Sequence, residues 1–270
     1  MAVVAAQDLG TTPGLELRVE NVTLQFAGLR ALDDVSFTIP PGRLAALIGP
    51  NGAGKSSMVN CCTGLYRATK GSVAIGGTDV TRMRSHNVAR LGVSRTFQNL
   101  ALFKGMTVLE NLMVGRYLHG KTGIFGGMLY LPSAVREEER QRERVEEVID
   151  LLHLARHRSA LVTDLPYGIQ KRVELGRALV QDPKLVFLDE PMTGMSAEEK
   201  EDMSRFILDV HETFGVTMLL IEHDMAVVMS IAQQVVVLDF GFRIADGTPA
   251  EMQRNEAVIE AYLGRGAAEE

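Results

Sequence analysis

Residues 49–57 read GPNGAGKSS and stand between the apolar run LAALI and a stretch of helical pattern. No other stretch restricts the fold as strongly. Gly49, Gly54, Lys55 and Ser56 meet the pattern G-x-x-x-x-G-K-[ST]. Glycines let a backbone wrap closely around phosphate oxygens with its N–H groups pointing inward. A helix N-terminus adds partial positive charge. Lys55 is then placed to neutralise the β and γ phosphates of a nucleotide, and the Ser56 hydroxyl is offered to Mg²⁺. The rest of the turn, Asn51, Gly52, Ala53 and Ser57, is expected to line the same phosphates.

Asp189 and Glu190 close the run KLVFLDE. A buried strand ending in two carboxylates needs a reason, because ionised groups near a core are costly unless paired. A magnesium ion supplies one: Asp189 is expected to bind it, directly or through water, and Glu190 to take a proton from an attacking water. His223 closes a second apolar run, TMLLIEH. Ligands in open parallel sheets gather at the carboxyl ends of strands. There a histidine can hydrogen-bond the γ-phosphate and orient the water. Gln98 stands where the core pattern gives way to a helical one and is a candidate to reach the metal.

Composition excludes several other classes. With 46% hydrophobic and 23% charged residues the chain can bury a full core. Its net charge of −6 gives no electrostatic reason to expect nucleic acid as a partner. The basic run RMRSHNVARLGVSR is expected to be a solvated helix face. Cys61 and Cys62 are adjacent, which suits small apolar core residues in a reducing compartment rather than a bridge or a metal site. No stretch approaches the ~18 apolar residues that span a bilayer. MAVVAAQDLGTTPG, residues 1–14, reads as a mobile tail without a leader pattern.

Along the chain, LELRVENVTLQF and ALDDVSFTIPPGRLAALIG predict strands broken by turns. Residues 15–98 are expected to hold a β subdomain and the first half of an α/β core. Residues 99–180 are helical in pattern, apart from the Gly-rich interval KTGIFGGMLYLP. Val145, Val148, Ile149 and Leu152 make the apolar seam of the long charged segment there. Strands and helices alternate again over 181–265, and 266–270 is a tail. The runs LVFL and TMLLI suit parallel strands buried on both faces. Thr248, Pro249 and Glu251 spell a capping box at a helix start.

With these motifs in order, residues 15 to about 265 resemble the nucleotide-binding subunit of an ATP-binding cassette transporter. The resemblance implies an α/β fold of the P-loop NTPase (RecA-like) kind. Its mostly parallel core would carry an antiparallel β subdomain and an inserted helical subdomain. It also implies that Phe26 stacks on adenine, that Gln98 belongs to a loop coupling to membrane subunits, and that His223 is the switch histidine. The insertion KTGIFGGMLYLPS, the segment IEHDMAVVM and the ending GTPAEMQRNEAVIEAYLG are most similar to the larger ATPase of branched-chain amino acid importers.

LPYGIQ, residues 165–170, stands where that family carries its signature, usually LSGGQ. In the family the loop reaches across a dimer to the γ-phosphate held by the other subunit. Pro166, Tyr167 and Gly168 are thereby candidate nucleotide contacts, although proline offers neither the hydroxyl nor the N–H of the usual serine. Ser196 stands about where the family usually places an aspartate that links the two active sites.

The resemblance implies ATP and Mg²⁺ as ligands and a dimer of nucleotide-binding subunits, either a homodimer or a heterodimer with a paralogue. It further implies membrane-spanning permease subunits and, through them, a periplasmic or extracellular solute-binding protein. The chain would then sit at the cytoplasmic face of the bacterial inner membrane. Two rival readings are a soluble cassette protein of translation or repair and an ATP-binding regulatory subunit. The first commonly joins two cassettes or inserts a long coiled coil, and neither is present here. The second is favoured by Pro166 and opposed by Glu190 and His223.

Overall fold

The computed structural model describes residues 14–96, 100–116 and 132–266. The chain divides into two units. One comprises residues 1–93, 184–190 and 207–270; the other comprises 94–183 and 191–206.

The first unit opens with β1 (Leu17–Phe26), β2 (Leu29–Ile39) and β3 (Leu44–Ile48), followed by α1 (Lys55–Cys62). Next come β4 (Lys70–Ile75), β5 (Thr78–Asp79) and α2 (Ser85–Ala89), and β6 (Val93–Arg95) spans the boundary to the second unit. A four-stranded antiparallel sheet runs in the order β2-β1-β4-β5. β3 instead enters a six-stranded sheet built mostly from the later part of the chain. That part supplies β7 (Leu185–Asp189), β8 (Thr217–Ile221), β9 (Gln234–Asp239) and β10 (Phe242–Gly247).

The six-stranded order is β10-β9-β3-β8-β7-β6, with β3, β7, β8 and β9 parallel and β10 antiparallel to β9. Every residue of β3, β7 and β8 is buried, which explains their unbroken apolar sequences: a parallel strand has no solvent face for a polar residue. Leu17, Ile39, Leu47, Met58, Phe187 and Leu219 belong to one apolar cluster spanning both sheets. Fully burying each such side chain contributes roughly 1.5–3 kcal/mol. Cys61 and Cys62 are both buried in that cluster, and burial pushes the Cys61 thiol up to about 11.

Register decides what meets at the sheet edge. Leu47 and Asp189 both pair with Ile221, and Ile48 pairs with Val237. The chain therefore leaves β3, β7 and β8 at one carboxyl edge, where Gly49, Glu190, Glu222 and His223 follow.

The second unit holds α3 (Val108–Arg116), α4 (Pro132–Leu151) and α5 (Tyr167–Leu179). It also holds the start of α6 (Ala197–Phe214). Val145, Val148, Ile149 and Leu152 are buried, as the seam in the charged segment predicts. Arg116 and Arg144 both pair with Asp182, and Lys171 pairs with Glu174 at 3.3 Å inside the unit.

The basic run at 82–95 departs from expectation. Only residues 85–89 are helical; Val93 and Ser94 are buried in β6, because the run ends as an edge strand rather than continuing its helix. Later come α7 (Met225–Ile231), α8 (Pro249–Met252) and α9 (Glu256–Gly266). The expected box at α8 is complete, with Thr248 and Glu251 capping one another.

Candidate nucleotide-binding site

The phosphate loop links the end of β3 to the start of α1. Gly49 has φ +148°, and a Cβ there would lie 2.0 Å from the Leu238 carbonyl oxygen, so no other residue fits. Gly54 is the N-cap of α1 in the left-handed region, and no side-chain hydrogen bond caps that end among the described residues. The first turn of α1 carries no acidic residue. Its N–H groups thus face a space without a competing carboxylate of their own turn.

Lys55 is 8% exposed and donates from Nζ to the carbonyls of Gly49 at 2.6 Å and Pro50 at 3.1 Å. Its pKa is lowered by burial, with Glu190 and then Asp189 opposing that shift. Ala53 is buried and accepts from Gly241 N–H through its own carbonyl; Asn51, Gly52 and Ser56 are exposed, and Ser57 is half-buried. A cradle that excludes Cβ atoms, a free helix end and a desolvated ammonium fit a polyphosphate. The Ser56 hydroxyl and the Asp189 carboxylate are hard oxygen donors of the kind Mg²⁺ takes.

Asp189 ends β7 with 4% exposure. Glu190 follows with φ +47°, its N–H bonded to the Ile221 carbonyl, which turns the chain out of the sheet. His223 has an exposed side chain, whereas the preceding Glu222 is 1% exposed. The Glu222 carboxylate accepts from the His223 backbone N–H at 3.3 Å and lies 3.7 Å from its Nδ1. Sequence reasoning singled out the histidine and passed over Glu222, although an acid directly after a fully apolar run was a visible signal.

Phe26 ends β1 as an exposed ring, packed edge-on against Tyr66 at 5.2 Å between centroids. Tyr66 was not anticipated. Nor was Tyr262 on α9, whose buried hydroxyl meets no hydrogen-bond partner among the described residues. Burial pushes its pKa up to about 12, with the nearby Gly49 N–H acting in the opposite direction. Gln98 lies outside the described residues, as do residues 121–131 of the Gly-rich interval and residues 1–13.

In the second unit, Pro166 is the N-cap of α5 and supplies no side-chain cap. Tyr167 is exposed and its hydroxyl donates to the Thr193 carbonyl at 3.2 Å. Gly168 is buried, and a Cβ added to it would meet Glu199 Oε1 at 2.5 Å. Ser196 precedes α6, where its N–H donates to Glu199 at 2.9 Å and its hydroxyl accepts from Glu199 N–H at 3.3 Å.

A strand–loop–helix that excludes side chains around an ammonium, beside a sheet edge bearing Asp189 and Glu190, defines a nucleotide-binding cassette. The chain belongs to the ABC transporter family, whose model matches residues 32–193. A second model, described as branched-chain amino acid ATP-binding cassette transporter, matches residues 243–268.

Among curated relatives, the chain is 38% identical to the high-affinity branched-chain amino acid transport ATP-binding protein BraF of Pseudomonas aeruginosa. It is likewise 38% identical to LivG of Escherichia coli K12, named as a protein of the same transport function. Each match covers 92% of this chain and 97% of the relative. The fold matches the ADP conformation of MJ1267, an ATP-binding cassette of an ABC transporter. That match has a TM-score of 0.80 and 32% identity, and covers 94% of this chain and all of the other.

Proposed function

We propose that this chain is the ATP-hydrolysing, energy-coupling subunit of an importer for branched-chain amino acids or related small polar solutes. The observation that carries the reading is one carboxyl sheet edge holding Lys55, Asp189 and Glu190, in a chain matched at both its core and its C-terminal end to such cassettes. Phe26 stacks on the base, while the amides of residues 49–57 and the Lys55 ammonium bind the phosphates. Ser56, Asp189 and Gln98 would hold Mg²⁺, which when bound would supply positive charge to the terminal phosphates. Glu190 accepts the proton of the attacking water, and His223 orients that water against the γ-phosphate. Positioning and electrostatics carry the phosphoryl transfer, with no covalent intermediate on the protein.

The cassette works as a dimer in which Gly168 and its neighbours address the nucleotide held by the partner. It reaches the membrane through permease subunits at the cytoplasmic face. Pro166 leaves that trans contact one donor short; a charge-assisted hydrogen bond is worth about 1.5–3 kcal/mol. Paired with a paralogue whose signature is intact, this chain's own Lys55, Glu190 and His223 would form the faster of two unequal sites.

Phosphate release, measured for the chain alone and reassembled with its permease and solute-binding protein, tests the reading. Turnover stimulated by a branched-chain amino acid is expected. Turnover indifferent to the membrane partners would place the chain among soluble cassettes.

A further inference from the structure

Gly168, Ser196 and Glu199 meet within the second unit around one carboxylate. Glu199 receives the Ser196 N–H at 2.9 Å through Oε2. Its Oε1 lies 2.5 Å from the point where a Gly168 Cβ would stand, and the Gly168 N–H is close enough to stabilise its charge. Glu199 therefore caps the helix it opens and also covers the first turn of α5, whose own N-cap, Pro166, provides nothing. The loop at 191–199 is held to α5 a second time. Tyr167 donates to the Thr193 carbonyl, and its ring lies 3.3 Å from where a Gly194 Cβ would be.

A backbone amide at a helix start binds one anion well, and two anions sharing it repel. We propose that Glu199 is a positioning residue that occupies the anion place at Gly168 in the unpaired chain and has to leave it before a partner-bound γ-phosphate can enter. This rests on the signature-loop reading given above. Glycine at 168 suits the arrangement, since any side chain there would collide with the Glu199 carboxylate. The carboxylate steadies the loop while the cassettes are apart, and its displacement makes their closure demand more ATP.

The test is ATP-driven pairing of the full chain, with its co-purified cassette partner if it has one, followed by sedimentation with a non-hydrolysable ATP analogue. Glu199→Gln keeps a hydrogen-bond acceptor and removes the competing charge. It is expected to lower the analogue concentration for half-maximal pairing about three- to tenfold. Analogue affinity of the unpaired chain, which reads the phosphate loop, should stay constant. Glu199→Ala should act in the same direction with a lower melting midpoint; if it fails to fold, the glutamine variant decides. An unchanged or raised requirement in Glu199→Gln overturns the inference. Failure of the wild type to bind the analogue would instead sink the cassette reading itself.

Discussion

The first turns of α1 and α5 are the two helix starts proposed above to address phosphate, and they are furnished in opposite ways. α1 begins behind a left-handed glycine, has no acid in its first turn, and carries the buried Lys55 ammonium there. α5 begins behind a proline that caps nothing and is covered by the Glu199 carboxylate. One site waits with a cation in place, and the other already contains an anion. The dipole of a helix end sets only the sign of the ligand it favours. Whether that ligand binds at once or has to displace something is decided by the side chains around the end, Lys55 of α1 itself at one start and Glu199 of α6 at the other.

Several substitutions would break or sharpen that contrast. Glu190→Gln should reduce ATP turnover by about 10²- to 10⁴-fold with nucleotide affinity retained, as steady-state phosphate release and equilibrium binding would register. Lys55→Ala should cost turnover about 10²- to 10³-fold and weaken ATP binding as well, because the lost cation acts on ground state and transition state together.

Gly49→Ala forces a Cβ onto the Leu238 carbonyl and should destabilise the first unit by about 1–3 kcal/mol or more, visible in urea midpoints. Pro166→Ser restores a helix cap and a donor. It should stabilise α5 by about 0.5–2 kcal/mol and raise turnover at the partner's site.

The smallest effect concerns pH. Burial holds the Lys55 pKa below its unfolded value, so the unfolded chain binds more protons between the two values. Stability contributed by this group rises with pH across that window, while ATP affinity falls there as the ammonium is lost. Chemical denaturation and ATP binding followed over the alkaline range should therefore slope in opposite directions.

The α1 site could be read from sequence because its chemistry is local. Gly49, Gly54, Lys55 and Ser56 are close neighbours along the chain, and each is of a type with few substitutes. Asp189 and His223 stand out in the sequence because a fully apolar run that ends in a polar residue leaves a strong trace. Contacts between distant segments leave no such trace. Glu199 looks like an ordinary first-turn acid of α6 until folding brings it to Gly168. Tyr262 looks like one residue of a terminal helix until its hydroxyl is found beside Gly49. The basic run at 82–95 misled because its charge said nothing about Val93 and Ser94, which the sheet edge buries.

Calorimetric titration of ATP into the purified full chain, with and without magnesium, tests the α1 site most directly. Magnesium-dependent binding that Lys55→Ala removes and Glu190→Gln preserves is the expected result. Binding that ignores both magnesium and Lys55 would contradict the assignment of this loop as the nucleotide's seat.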